Sequence, residues 1–330
     1  MGTRMTTLSI ILPIQPGPTP RALERLDALD WPPDQLELLV ARGMSPSAQR
    51  NAAAHAATGE ILYFIDDDSL IPPDQLQRIV KSFADPSMVA IGGPSLTPED
   101  DSFLQRCIGE VLGSLIGAGS VRARYCVVGE KRPSSERELI LCNLAIRRSA
   151  FLAAGGLNEA LYPNEENELL DRLKQQGGVV WYDPAMAVYR SQRETMRAFV
   201  YQMFRYGRGR GQQTRISGTI PVTALAPLLL WGYLVGMALT PSIWLAIPLI
   251  CYLLLGILTG FRAAYRCRMP GMALLFPVLV GVMHLSNGFG LARGLLSPAP
   301  RPDPVKSTQI TIEQHQVDCQ QSPVSPLDIP

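Results

Sequence analysis

The first part of the chain alternates short, unbroken apolar runs with stretches whose apolar residues recur every three or four positions. Leu8–Ile14 ("LSIILPI") is followed by "QPGPTP", which predicts a buried strand stopped by a turn. Ala22, Leu26 and Leu29 then recur at helical spacing within Arg21–Asp30. Leu36–Ala41 reads as a second strand, and "SPSAQRNAAAHAATGE" as an Ala-rich helix with Ser47 as its N-cap. Ile61–Ile65 is a third strand, Asp74–Phe83 a helix and Met88–Gly93 a further strand. Strands alternating with helices imply an α/β domain with a mostly parallel sheet, whose ligands sit beyond the carboxyl ends of the strands.

The middle of the chain is less regular. Glu138–Leu157 reads as a strand and a short helix closed by Gly155-Gly156. Tyr162–Gly178 is a helix with Asn164 as N-cap, acids in its first turn, Arg172 and Lys174 late, and Gly177 as its stop. Val179–Arg190 reads as a strand pair or a strand and turn.

From Arg193 the pattern changes. Arg193, Arg197, Arg205, Arg208, Arg210 and Arg215 are interleaved with Met196, Phe199, Val200, Met203 and Phe204. A helix lying on an anionic membrane surface has this pattern, and a solvated helix with a flexible Gly-Arg loop has it too. Ile220–Leu239 and Ile243–Phe261 carry no charge, and each approaches the ~20 residues that cross a bilayer. Arg262, Arg266 and Arg268 follow, which the positive-inside rule puts in the cytosol. Gly271–Leu291 is a third uncharged stretch, interrupted by His284, Ser286 and Asn287. Those polar residues are functional candidates or helix–helix hydrogen-bond partners. A hairpin plus a third crossing fits, and would leave the tail after Arg293 outside. That tail is rich in Pro, Ser and Gln and is expected to be disordered.

Composition changes this picture little. A net charge of +1 over 330 residues gives no sign of a nucleic-acid polymer as partner. The six cysteines lack CxxC or CxxH spacing, against a zinc site or a disulfide framework and in keeping with a reducing cytosol. Leu8–Ile14 is too short for a signal-peptide core, so the soluble part is expected in the cytoplasm.

The candidate chemistry lies where the third strand ends on Asp66, Asp67 and Asp68. Two carboxylates spaced D-x-D at a strand end can hold a divalent cation that neutralises a diphosphate. An acidic turn, with Asp68-Ser69 capping the next segment, would look the same.

The order of "SIILPI", "LELLV" and "SAQRNAAAHAATGEILYFIDDDS" resembles the family 2 glycosyltransferases of the GT-A fold. So does the later "NLAIRRSAFLAAGGLNEALYPNEENELLDRL". With the downstream "QMFRYGRG", the chain is similar to membrane-anchored bacterial polysaccharide enzymes of the succinoglycan-biosynthesis type, over about residues 7–215. The resemblance implies a Rossmann-like nucleotide-sugar domain with a mostly parallel sheet, followed by C-terminal transmembrane helices. It implies inverting transfer of one sugar from a nucleotide sugar to a hydroxyl of a lipid-linked or glycan acceptor. Mg²⁺ or Mn²⁺ would sit at Asp68 with Asp66. The general base would be Glu166, the second residue of the acidic pair Glu165-Glu166. Pro13, Gln15, Arg42, Arg50, Asn51, Asp66 and Asp67 would line the donor. Asn143, Arg190, Gln202, Arg205 and Tyr206 would meet acceptor or phosphate. Arg50 also reads as a surface residue, and Asn143 as the support of a backbone turn.

Four positions depart from the family pattern. Ala41-Arg42 stand where an aspartate often holds the nucleotide base, and Glu166 replaces an aspartate. Tyr189-Arg190 replace a histidine that can assist the metal, and "QMFRY" ends in Tyr206 where processive synthases have QxxRW. The expected division is a cytoplasmic catalytic domain over 1–192, a basic interfacial segment over 193–218, about three membrane helices over 219–296 and a disordered tail over 297–330. A multi-pass protein of the inner membrane follows. Two rival readings are a catalytically silent GT-A-like assembly subunit and a nucleotidyltransferase. The latter needs a Gly-rich phosphate loop that "QPGPTPR" matches poorly.

Overall fold

The computed structural model describes residues 7–17, 21–26, 29–218, 225–298, 301–302 and 309–315. Its elements run β1 (Leu8–Ile14), α1 (Arg21–Leu26), β2 (Leu36–Arg42), α2 (Pro46–Ala56), β3 (Ile61–Ile65), α3 (Gln75–Ser82), β4 (Met88–Gly92), β5 (Ser95–Leu96), α4 (Phe103–Leu112) and α5 (Leu115–Ala118). They continue with β6 (Arg132–Pro133), β7 (Asn143–Arg147), α6 (Arg148–Ala153), α7 (Glu165–Gln175), β8 (Val179–Tyr182), β9 (Val188–Tyr189), α8 (Met196–Ser217), α9 (Ala226–Leu239), α10 (Ile243–Cys267), α11 (Met272–Leu296) and β10 (Thr311–His315).

These residues fall into two units, one drawn from Met1–Pro98, Ala123–Ser191 and Arg301–Pro330, the other from Glu99–Arg122 and Gln192–Pro300. The first is built on an eight-stranded sheet of order β10-β2-β1-β3-β7-β4-β8-β6. The pairings give β2, β1, β3, β4 and β8 one direction, and β10, β7 and β6 the other. Both faces are covered, which is why the central strands read as continuous apolar runs. On one face Ile11, Leu39, Leu62, Phe64, Leu144 and Ile146 pack with Ala53 and Ala54 of α2, Phe151 of α6 and Leu169, Leu170 and Leu173 of α7. On the other, Leu8, Ile10, Leu12, Val40, Tyr63 and Ile65 pack with Ala22 and Leu26 of α1 and Leu76 and Ile79 of α3. This is the mixed α/β sheet, with most strands parallel, that the alternation of runs implies.

Two local expectations are corrected, and one alternative reading, the Gly-Arg loop, is set aside. Ser45, not Ser47, precedes the helix α2, because Pro46 occupies its first turn, where its fixed φ and missing N–H cost nothing; Ser47 donates to the Leu161 carbonyl instead, at 3.2 Å. Within the tail expected to lack order, Thr311–His315 pairs antiparallel with β2. Its Ile312 packs on the sheet core and Glu313 meets Arg42 at 2.7 Å. The Gly-Arg run after Phe204 is not a loop but part of the 22-residue α8.

In the second unit, α8 and α11 lie against each other along glycines. A Cβ at Gly211 would stand 2.6 Å from the Leu291 carbonyl oxygen, and Gly290 and Gly294 face the Phe204 and Arg208 carbonyls in turn. Such closeness is what small residues four apart allow. The uncharged stretches give two described helices long and apolar enough to cross a membrane, α10 and α11. The remaining one, α9, has 14 residues, and residues 220–224 of its stretch lie outside those described. His284 accepts or donates between the Tyr252 hydroxyl (2.9 Å) and the Gly117 carbonyl (3.0 Å), and Asn287 donates to the Met203 carbonyl (3.4 Å). Their bonds are thus to neighbouring segments of the same unit.

Candidate active site

β1, β2 and β3 are parallel, so their carboxyl ends gather half-buried Pro13, exposed Gln15, Arg42 and Asp66 at one end of the sheet. Beyond β3 the chain turns at once. The Ser69 amide donates to the Asp66 carbonyl (3.1 Å), and the Ser69 hydroxyl accepts from the Asp66 amide (3.2 Å). Leu70 exchanges two backbone hydrogen bonds with Tyr189, at 2.8 and 2.9 Å, which ties the aspartate turn to β9. That pairing delivers Arg190. Its guanidinium lies 3.1 Å from Asp66 and 3.1 Å from Asp68. Asp67 is exposed in the turn; partial desolvation, then the charges of Asp68 and Asp66, raise its carboxyl above the usual range.

The acidic pair comes from the other direction. Asn164 precedes α7 with φ 93°, a left-handed conformation that asparagine tolerates, and its Oδ1 accepts from Asn167 at 2.9 Å. Glu165, Glu166 and Glu168 then open the helix, where its dipole favours negative charge. Glu168 and Arg172 form the (i, i+4) pair at 2.7 Å that their spacing implies.

Arg50 joins the two acidic groups. It projects from α2, is 5% exposed, and stands 2.6 Å from Asp66 and 3.4 Å from Glu165. Glu165 is 3% exposed and its Oε2 has no hydrogen-bond partner among the described residues. Burial, then the charge of Glu166, push its carboxyl up to about 8 against the pull of Arg50. Glu166 pairs with Arg124 at 3.3 Å. Arg124 also donates to Asn167 and to the Glu136 and Arg137 carbonyls, so its fork is held on several sides. Sequence reasoning missed Arg124: "GSVRARYC" carries no motif, and only tertiary folding brings it to α7.

Other expected ligands are stitched into the protein itself. Asn51 donates to the Leu157 carbonyl (2.9 Å) and Glu159 (3.0 Å) and accepts from the Leu157 amide (2.8 Å), holding the Gly155-Gly156 turn against α2. Gly156 has φ 71° and lies so close to Asn51 that a Cβ would meet its Oδ1 at 2.6 Å. Asn143 is fully buried and accepts from Tyr63 (2.9 Å) and Gln75 (3.1 Å) while donating to the Pro94 and Met186 carbonyls. Of its two readings, support of the backbone is the one its contacts match. Arg42 is turned to Glu313 of the tail strand. Gln202, Arg205 and Tyr206 lie on α8 in the helical unit, where Gln202 donates to the Tyr206 hydroxyl at 3.0 Å.

Among the described residues no group of three or more His, Cys, Asp or Glu is placed to hold a metal by itself. Asp66 and Asp68 nonetheless suit a hard cation that keeps waters and takes its remaining oxygens from a diphosphate, for such ions use one or two carboxylates. Their side chains, 25% and 42% exposed, are open enough for that.

A family model described as glycosyl transferase family group 2 matches residues 61–265. The chain is 27% identical over 261 residues to the succinoglycan biosynthesis protein ExoA of Rhizobium meliloti, covering 77% of this chain and 76% of that protein. It is 24% identical over 234 residues to the pre-mycofactocin glycosyltransferase of Mycobacterium tuberculosis, which is 68% of this chain but 45% of that protein. Among solved structures it is similar to the mannosyltransferase PcManGT of Pyrobaculum calidifontis, in complex with GDP-Man and Mn²⁺. The TM-score is 0.51 at 18% identity, covering 86% of this chain and 88% of the other.

Proposed function

The chain belongs to glycosyl transferase family group 2, and from that premise we propose that it moves a single hexosyl unit, with inversion, from a nucleotide sugar to a hydroxyl of a lipid-linked glycan acceptor. The observation that carries this reading is Arg50, whose two contacts bring the strand-end aspartates and the helix-start glutamates to one site. A single displacement needs two such poles: one to receive a departing diphosphate, one to take the proton of the attacking hydroxyl.

Asp66 and Asp68 would hold Mg²⁺ or Mn²⁺, which when bound neutralises charge on the nucleoside-diphosphate leaving group. The cation and GDP-Man bound to PcManGT support that choice of cofactor and donor class. Arg190, already against both aspartates, is the guanidinium to contact the phosphates. Burial and the neighbouring charge of Glu166 raise the Glu165 carboxyl and favour its protonated form. The base role is assigned to the second residue of the pair, Glu166, which Arg124 holds at 3.3 Å. Pro13, Gln15 and Arg42, at the neighbouring strand ends, are the candidates for the nucleoside.

The likeness to ExoA supports a polysaccharide-type acceptor. A lipid anchor on that acceptor is suggested by the arginine-rich and apolar segments that follow the catalytic unit. The test combines two variants of the full chain. Glu166→Gln should keep donor affinity and lower turnover by about 10²–10⁴-fold. Turnover is read as nucleoside-diphosphate release with membrane lipid extract as acceptor. If Glu165→Gln is the crippling change and Glu166→Gln is mild, the base assignment is wrong. If no nucleotide sugar yields diphosphate release with lipid extract or with a soluble glycan, the silent assembly subunit is the better reading.

A further inference from the structure

The edge of the catalytic sheet sets an ion pair beside the residues proposed for the nucleoside. β10 lies antiparallel on β2, with Thr311 opposite Arg42 and Glu313 opposite Val40. Ile312 packs on the core face shared with α2. By strand alternation Glu313 projects from the other face, the one on which Val40 packs with α1 and α3. Arg42, two residues beyond Val40, is on that face too, and its Nε donates to Glu313 Oε1 at 2.7 Å. Its Nη1 reaches the Gly17 carbonyl, in the turn after β1, at 3.5 Å. Both side chains keep access to solvent, at 25% and 37% exposed. The Arg42 hydrogen bond holds the Glu313 carboxyl below the usual range, so it is ionised at neutral pH.

This pair stands at the level of the aspartates. Pro13 is opposite Ala41, and counting on from Ile11 opposite Phe64 brings Asp66 level with Pro13. Neighbouring strands are about 4.8 Å apart, so with β1 between them the ends of β2 and β3 are about 10 Å apart. A nucleoside diphosphate with its phosphates at Asp66 and Arg190 carries its base one ribose further, to the end of β2. The backbone there is already engaged. The Ile14 carbonyl accepts from Gln49 (2.7 Å) and from the Gly43 amide (3.0 Å), and the Ala41 carbonyl accepts from Gln49 at 2.5 Å. Pro13 has no N–H to offer. Side chains are left to read a base at this strand end, and Glu313 is the carboxylate that the tail strand brings to it. Arg42 spends its Nε on Glu313, and the rest of its fork carries further N–H donors.

We propose that β10 supplies the residue that selects the donor: Glu313 accepts the ring imino N–H of the nucleobase while Arg42 donates to the carbonyl beside it. The inference rests on the proposed sugar transfer and narrows its donor to a uridine or guanosine diphosphate sugar. Uracil and guanine both set an imino N–H next to a carbonyl. Cytosine and adenine have a ring nitrogen with a lone pair in that place, which a carboxylate repels. A site built to hydrogen-bond its ligand rejects an analogue that leaves its polar group unpaired far more strongly than an apolar pocket rejects a misfit. An ion pair that only tethered the tail strand would not discriminate among bases.

Calorimetry on the detergent-solubilised full chain in saturating Mn²⁺, with UDP, GDP, CDP, ADP and inorganic pyrophosphate as ligands, tests it. UDP or GDP should bind the parent at least about tenfold more tightly than CDP and ADP, as expected for a hydrogen bond to a charged group. Glu313→Gln keeps the size of the side chain and an oxygen for Arg42, but sets an amide N–H₂ where the second carboxylate oxygen was. It should weaken the preferred nucleotide about tenfold, leave pyrophosphate unchanged and narrow the gap to CDP, whose ring nitrogen can accept from the amide. Glu313→Ala should lose the same affinity without the gain for CDP. A parent that prefers CDP or ADP overturns the inference and leaves the proposed sugar transfer standing. So does a Glu313→Gln chain that binds UDP and GDP as the parent does, or that loses all four nucleotides by one factor. A parent that binds no nucleoside diphosphate more tightly than pyrophosphate overturns both.

Discussion

Replacing Arg190 with alanine should tighten the binding of a bare divalent cation, the opposite of what removal of a site residue usually does. Arg190 is 17% exposed and stands 3.1 Å from each of Asp66 and Asp68. Exposed ion pairs are worth about 0.2–1 kcal/mol each, and these two, half-shielded, lie near the upper end. Their sum is about 1–2 kcal/mol of attraction that an incoming cation must displace. At 1.4 kcal/mol per decade, Arg190→Ala should lower the dissociation constant of Mn²⁺ alone by about tenfold. Arg50 stays on Asp66 at 2.6 Å, which keeps the gain from being larger. Calorimetry on the detergent-solubilised full chain, with Mn²⁺ in the absence of nucleotide, reads this directly. The same variant should bind UDP or GDP more weakly in saturating Mn²⁺, because the guanidinium proposed to contact phosphate is gone, and Arg190→Lys should fall between. A variant that keeps its circular dichroism yet binds Mn²⁺ no better than the parent would refute the idea that Arg190 competes for these carboxylates.

Glu165 should give the catalytic unit a stability that fades as pH rises. Its carboxyl goes from an ordinary 4.5 to about 8 on folding, so the native state holds the extra proton between those values. The contribution is whole below the lower value and lost as pH climbs through the upper one. Glu165→Gln should therefore gain in thermal midpoint relative to the parent from pH 5 to pH 9, and parallel pH profiles would refute it. In the helical unit, Gly207→Leu should force α8 off α11, since even a Cβ there would stand 2.9 Å from the Leu291 amide nitrogen. Overpacking of this kind costs about 1–3 kcal/mol or more. Gly232→Leu, at a glycine with nothing within 4 Å of its Cβ position, is the matched control and should leave the denaturation midpoint in place.

What the sequence made legible is what local pattern determines. Leu8–Ile14, Leu36–Ala41 and Ile61–Ile65 are apolar throughout because a central strand is covered on both faces, and they stand where expected. The aspartates and the acidic helix start are legible because a strand end and a helix N-terminus each leave a mark within a few residues. β10 left little mark: "TIEQH" has one apolar residue, Ile312, and its partner strand lies far back in the chain. Asn51 and Asn143 show a different limit. A polar residue inside a shared motif reads as a ligand contact, but burial turns the same hydrogen-bonding capacity toward the protein's own turns and strands. Hydropathy has a limit of the same kind. In α10 only 11% of the apolar window is buried and in α11 39%, so two stretches of similar composition face different surroundings.

The arrangement of charge at the sheet end follows from one constraint. Asp66, Asp67, Asp68, Glu165 and Glu166 are five carboxyls collected by two elements, and without counter-charge their repulsion would oppose folding. Three arginines from separate parts of the chain answer it: Arg50 from α2, Arg190 from just past β9, and Arg124 from ahead of β6. Protonated Glu165 removes one further charge. Such a cluster is stable before any donor arrives, yet each arginine contact is one that a diphosphate-bound cation or an acceptor can take over. The more exposed contacts of Arg190 are the cheapest to exchange, and in the proposed reading they lie on the donor side. The buried contact of Arg124 with Glu166 is the more firmly held, because Arg124 is also tied to Asn167 and two backbone carbonyls, and it fixes in place the carboxylate proposed as base.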